Sequence, residues 1–258
     1  MNNRVEDAFQ GKKAFIPFVT CGDSTCTMTV DLVLAMAEAG ADLVELGIPF
    51  SDPVAEGPVI QQADERALKA GFKLNDFFHV VEEIRRFSTI PLVCMTYLNP
   101  VYHYGKDRFL ERSRSAGLDG IIIPDLPYEE RDELAKACED HSIVQINMIA
   151  PTSRKRITEV ASHSKGFLYC VSSMGVTGMR SVLDETAKTM VAQAKEVSST
   201  ACAVGFGIHS EEQARTVASY ADGVIVGSAI VNLIAKHGSQ SVNPVYRYVQ
   251  SMKKAISG

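Results

Sequence analysis

The chain has 258 residues, of which 46% are hydrophobic and 22% charged, a balance that supports one large buried core and excludes a disordered chain. A formal net charge of -5, with no basic runs interleaved with aromatics, argues against a nucleic-acid surface. Residues 1–11 are polar, no apolar stretch reaches membrane length, the six cysteines form no C-x-x-C pair and no Pro/Gly-rich linker interrupts the chain, so a reduced, cytoplasmic, single domain over 1–258 is expected.

Short runs rich in Val and Ile alternate with longer stretches of helical period. The runs lie at 14–19, 42–46, 92–96, 120–123, 143–149, 167–171, 201–204 and 223–226. Eight equal strand-and-helix units can form an open doubly wound sheet, but they close naturally into a (β/α)₈ TIM barrel, which is the expected α/β fold. In such a barrel the working surface is built from residues just beyond the carboxyl end of each strand.

The second run carries the sharpest candidate. Strand alternation in Leu43-Val44-Glu45-Leu46 sends Val44 and Leu46 to one face and Leu43 and Glu45 to the other. If the apolar pair packs on helices, Glu45 points into the barrel, where burial raises a carboxyl toward the range useful for proton transfer. The alternative is a Glu paired with a Lys or Arg from another strand. The loop that follows, 47–58, holds three prolines together with Asp52 and Glu56. Either acid is presented to a ligand or caps the helix that starts near Pro58.

Farther along, Phe77, Val81, Ile84 and Phe87 trace one apolar face of a helix. A junction recurs at Ala39-Gly40-Ala41-Asp42 and Ala116-Gly117-Leu118-Asp119, and more faintly at Ala221-Asp222-Gly223; it reads as scaffold, with glycine in the left-handed helix-stop position. After the sixth, seventh and eighth runs come Gly175-Val176-Thr177-Gly178, Gly205-Phe206-Gly207-Ile208 and Gly227-Ser228-Ala229-Ile230. Glycine lets backbone amides approach closely and a helix N-terminus carries partial positive charge, so these loops suit a phosphate. The six histidines show no metal-ligand spacing, and G-x-G-x-x-G is absent, so neither a metal nor a nicotinamide cofactor is inferred.

Several of these segments are recognisable together. Phe18-Val19-Thr20-Cys21-Gly22-Asp23, Glu45-Leu46-Gly47-Ile48-Pro49-Phe50-Ser51-Asp52-Pro53, Gly57-Pro58, Pro124-Asp125-Leu126-Pro127, Ala150-Pro151-Thr152 and the glycine loops at 175–178 and 205–208 resemble the tryptophan synthase alpha subunit family. The resemblance runs from the first strand to Gly227-Ser228, and its most specific block is E-L-G-x-P-F-S-D-P.

The resemblance implies a lyase that cleaves indole-3-glycerol phosphate to indole and glyceraldehyde 3-phosphate by retro-aldol chemistry, with Glu45 as acid and base. It places Glu56 where the family has an aspartate in A-D-G-P, the acid that receives the indole N-H. Phe18, Tyr97, Tyr169, Thr177 and Phe206 are expected to line the substrate pocket, and Gly178, Gly207, Gly227 and Ser228 to hold the phosphate. Loops at Glu56, Asn99-Pro100 and Asp125-Leu126-Pro127 are expected to meet a beta subunit in an alpha2beta2 assembly; pyridoxal phosphate belongs to that partner, and no cofactor is expected here. At Ser172-Ser173-Met174 the chain departs from relatives that carry an arginine. Two rival functions remain in view: a stand-alone phosphate-binding barrel lyase, and a non-catalytic barrel that activates a partner allosterically.

Overall fold

The computed structural model describes residues 4–171, 180–205 and 207–257. Eight strands run Ala14–Thr20 (β1), Val44–Gly47 (β2), Leu92–Met95 (β3), Gly120–Ile122 (β4), Val144–Ile149 (β5), Phe167–Val171 (β6), Ala201–Gly205 (β7) and Gly223–Val226 (β8). They close in sequence order into a barrel with every neighbouring pair parallel. The helices are Arg4–Asp7 (α1), Cys26–Glu38 (α2), Pro58–Lys69 (α3), Leu74–Arg85 (α4), Leu98–Tyr104 (α5), Lys106–Ala116 (α6), Asp132–Asp140 (α7), Arg154–Ser162 (α8), Arg180–Lys195 (α9), Glu211–Ala218 (α10), Ser228–His237 (α11) and Val242–Ile256 (α12). Among the described residues no helix is long and apolar enough to cross a membrane. The open doubly wound alternative is thereby set aside.

Closure makes both faces of most strands apolar. Val44, Leu46, Cys94, Ile121, Leu168 and Val204 face outward into the layer shared with the helices, whereas Ile16, Leu43, Val93, Ile122, Ile146 and Phe167 fill the barrel. Short α1 plugs the amino-terminal mouth: Val5 and Ala8 are buried, and the Phe9 ring lies 5.5 Å from that of Phe167. With that end filled, the carboxyl-terminal mouth is the one left open to a ligand.

The recurring junction has a structural answer. Gly40 and Gly117 take φ of +102° and +101°, values a side chain resists, and so turn the ends of α2 and α6 toward β2 and β4. The aspartate of each junction then accepts a backbone N-H from the preceding strand: Asp42 from Phe15, Asp119 from Leu92, Asp222 from Cys202, at 2.8 to 2.9 Å. Each also meets a cation, Lys253 and Lys12 at Asp42, Arg85 and Arg4 at Asp119, and Lys195 at Asp222.

Two expectations need correction. The helical stripe Phe77, Val81, Ile84 is fully buried, each side chain contributing roughly 2 kcal/mol of burial, but Phe87 is 69% exposed. The helix stops before it: the Phe87 N-H returns to the Ile84 carbonyl, and the Arg86 guanidinium lies over its ring. In β5, Gln145 and Asn147 pair with outward-facing Ile121 and Leu168, so two amides occupy the outer face where other strands present aliphatic groups. The Asn147 amide donates to the Ser164 hydroxyl at 3.1 Å.

Candidate active site

Glu45 sits in β2 beside Phe18 of β1 and Val93 of β3. The alternation expected from its sequence holds, so its side chain enters the barrel and is 1% exposed. It forms no ion pair with a Lys or Arg among the described residues, and neither carboxyl oxygen has a hydrogen-bond partner there. Burial, and after it the nearby charge of Glu56, pushes its carboxyl up to about 8. A carboxyl that holds its proton near neutral pH is able both to donate it and to take one back.

The segment beyond β2 folds over this group. The Tyr97 hydroxyl, at the start of α5, accepts the N-H groups of Val54 and Ala55 at 3.1 and 3.0 Å and donates to the Glu56 carboxylate. Phe50 stacks on the Tyr97 ring with centroids 5.0 Å apart. Burial raises the Glu56 carboxyl above its ordinary value against the opposing effect of the Tyr97 bond. Neither loop acid caps a helix: Gly57 is the N-cap of α3 and offers no side chain, and Asp52 takes a bond from Ser51 on the exposed side of the loop.

Glu45 and Glu56 line one cavity of about 1000 Å³ at the carboxyl-terminal mouth. Its apolar wall includes Phe18, Ile60, Met95, Met148, Tyr169 and Ile225. The tip of the Phe18 ring abuts Gly47, where a Cβ would come within 2.5 Å of Cζ, so only glycine after Leu46 admits the aromatic wall beside Glu45. Burial, reinforced by Glu45 and Glu56, holds the Tyr169 hydroxyl well above the usual phenol range, so it stays protonated.

The same cavity is also bounded by Gly207, Gly227, Ser228 and Ala229. Ser228 opens α11, whose N-cap Gly227 supplies no side-chain bond; the Gly227 carbonyl takes the Ile230 and Val231 N-H groups, and those of Ser228 and Ala229, residues that line the cavity, come before the first intrahelical bond. A cavity that holds both carboxyl groups and the N-terminus of a helix suits a molecule with a proton-accepting ring and a phosphate.

Of the residues expected at the site, Glu45, Glu56, Phe18, Tyr169, Gly207, Gly227 and Ser228 share this cavity. Tyr97 is corrected: it stands behind the loop, 2% exposed, and holds Glu56 instead of forming the wall, because its hydroxyl is taken up by that loop. Thr177, Gly178 and Phe206 lie outside the described residues. Asp64 was missed. It is 4% exposed on α3, where the helical spacing of Ile60, Ala63, Asp64 and Ala67 is the signal that puts it on the buried face.

Comparison with known proteins agrees with this geometry. The family model described as tryptophan synthase alpha chain matches residues 5–257. The tryptophan synthase alpha chain of Lacticaseibacillus casei is 46% identical over 254 residues, covering 98% of this chain and 96% of its own. That of Halalkalibacterium halodurans is 47% identical over 236 residues, covering 91% and 89%. Among solved structures, tryptophan synthase subunit alpha from Legionella pneumophila superposes with a TM-score of 0.90 at 37% identity, covering 99% of each chain. A chain of the tryptophan synthase a2b2 complex of Pyrococcus furiosus gives 0.87 at 38% identity, covering 93% of this chain and 98% of that one. With its barrel, its inward glutamate and this match over nearly its whole length, the chain belongs to the tryptophan synthase alpha chain family.

Proposed function

We propose that this chain cleaves indole-3-glycerol phosphate to indole and glyceraldehyde 3-phosphate through Glu45 and Glu56, as the alpha subunit of an alpha2beta2 tryptophan synthase. The reading rests above all on one observation: a carboxyl inside the barrel, 1% exposed and with both oxygens unpartnered among the described residues, in a cavity that also holds a second acid.

Glu45 in its neutral form delivers a proton to C3 of the indole ring, giving an indolenine cation. The carboxylate so formed removes the proton of the hydroxyl on the adjoining glycerol carbon. As that oxygen becomes the aldehyde, the carbon-carbon bond breaks and its electron pair restores the indole, so Glu45 ends with the proton it began with. Glu56, held by Tyr97, accepts the indole N-H and offsets the positive charge of the indolenine. Phe18 and Tyr169 supply apolar contact to the ring, and Gly207 with the first turn of α11 receives the phosphate. Thr177, Gly178 and Phe206 are proposed for the same pocket on the family resemblance alone. The beta subunit takes up the indole. All six cysteines are free thiols, which supports a reducing, cytoplasmic setting.

The test is the release of indole from indole-3-glycerol phosphate. Glu45→Gln is expected to lower kcat by about 10²- to 10⁴-fold with the fold intact, while Glu56→Asp keeps or improves the rate. Unchanged rates in both variants would remove this mechanism.

A further inference from the structure

Tyr97 is the extended residue between β3 and α5, and the chain around β4 fixes its backbone from both sides. On one flank the Thr96 N-H donates to the Ile122 carbonyl at 3.0 Å. On the other, the N-H of Leu98, the first residue of α5, donates to both carboxylate oxygens of Asp125 at 3.0 and 3.3 Å. The first N-H groups of a helix have no acceptor inside it. Tyr97 stands at the N-cap but makes no side-chain cap, because its hydroxyl already serves Val54, Ala55 and Glu56. Asp125 supplies the cap from outside the helix. It is itself held in a tight turn, in which Pro124 is the second residue and the Leu126 N-H returns to the Ile123 carbonyl at 3.2 Å.

We propose that Asp125 is a positioning residue for the cleavage: by capping α5 it fixes the direction of Tyr97 and, through the Tyr97 hydroxyl, the place of Glu56 in the cavity. This rests on the reading of Glu56 given above. Two hydrogen bonds and one peptide bond carry the connection, from Asp125 to Leu98, from Leu98 to Tyr97 and from Tyr97 to Glu56. The charge of Asp125 cannot be what serves the reaction. Burial raises the Glu56 carboxyl and the Asp125 charge adds to it, which works against the ionised form that receives the indole N-H. A cap that served α5 alone would add stability and leave turnover untouched.

The test is a double-mutant cycle on indole release, with Asp125→Ala, Tyr97→Phe and the two combined. Asp125→Ala is expected to lower kcat about tenfold and to change KM less than about twofold, since Glu56 acts on charge that develops during the reaction. Asp125 is solvent-exposed, so its loss leaves no void in the core, and the melting temperature falls by only about 2 to 4 °C, the usual effect of one lost cap. In the Tyr97→Phe background, where the loop has already lost the hydroxyl, Asp125→Ala changes kcat by less than about twofold. Asp125→Asn keeps an acceptor for Leu98 and drops the charge, and stays within about threefold of the native rate. Amide exchange of Val54 and Ala55 accelerates in Asp125→Ala and not in Asp125→Asn.

Native kcat in Asp125→Ala would overturn the inference, as would the same fold loss in both backgrounds or a tenfold loss in Asp125→Asn. Should the alanine variant not fold, Asp125→Ser, whose hydroxyl stops one bond short of Leu98, carries the same expectations and the same refutation. The exchange measurement needs no turnover. A native chain that releases no indole defeats the functional reading, and exchange at Val54 and Ala55 then still decides whether Asp125 holds the loop. A native chain that does release it, at a rate the variants match, defeats this inference alone.

Discussion

Glu45 is held where neither oxygen finds a hydrogen-bond donor among the described residues, so its neutral form is favoured and its carboxyl is pushed up to about 8. In the proposed reaction Glu56 must be ionised to attract the indole N-H, and its carboxyl is raised only against the opposing pull of Tyr97. These two requirements predict a bell-shaped kcat/KM profile that falls on the acid side as Glu56 takes a proton and on the basic side, near pH 8, as Glu45 loses one. A profile flat through pH 9 would exclude Glu45 as the acid. The same burial has a thermodynamic consequence. A carboxyl whose folded value lies above its unfolded one contributes most to stability below about pH 4.5, and that contribution is lost as pH rises toward 8. Glu45→Gln, which never ionises, should therefore match the native chain in urea unfolding near pH 4 and exceed it by on the order of 3 kcal/mol near pH 8. A gap that does not widen with pH would show that Glu45 is solvated.

Strands and junctions show how one polar side chain shapes an element. Asp119 ends the turn into β4, is 4% exposed, and accepts bonds from Leu92 N-H, Arg85 and Arg4. Asp119→Ala leaves the Leu92 N-H and the Nη2 group of Arg85, a side chain only 13% exposed, without their acceptor, although Arg85 keeps its bonds to the Gly117, Ser88 and Ile90 carbonyls, and should cost about 3 kcal/mol in chemical denaturation while the cavity at the other end keeps its shape. Loss below about 1 kcal/mol would mean that water replaces the acid. The strands were legible because a closed barrel buries both faces, leaving apolar runs that few other folds produce. Glu45 was legible because period-two alternation fixes which face it takes once its neighbours are apolar. Phe87 was misread because helical period says nothing about where a helix stops, and Gln145 and Asn147 because a run of mixed character still averages as apolar. The true place of Tyr97 was hidden for a different reason: its hydroxyl acts through the 48–57 loop, and no local pattern encodes contacts between residues 41 to 43 positions apart.

Across the whole molecule, α1 plugs the amino-terminal mouth and the other is left open, so in the proposed assembly a beta subunit that docks at the carboxyl-terminal rim meets the loops that line the cavity. Val54 marks that rim. Its side chain is 78% exposed, an apolar group turned to solvent, while its backbone N-H is held by Tyr97 beside Glu56. A partner that covers Val54 gains apolar burial and at the same time presses on the segment whose geometry sets Glu56, which links docking to turnover with no movement of the barrel. Val54→Lys puts a charge into that contact and leaves the backbone bond to Tyr97 in place. Indole release by the isolated chain should stay within about twofold of native, whereas the beta-subunit concentration needed for half-maximal stimulation should rise roughly tenfold, the cost of losing one well-buried apolar contact. Titrating beta subunit into both chains at fixed indole-3-glycerol phosphate reads this directly: superimposable curves would place the partner elsewhere on the rim, and equal loss of basal and stimulated rates would mean that the Val54 side chain serves the pocket and not the interface.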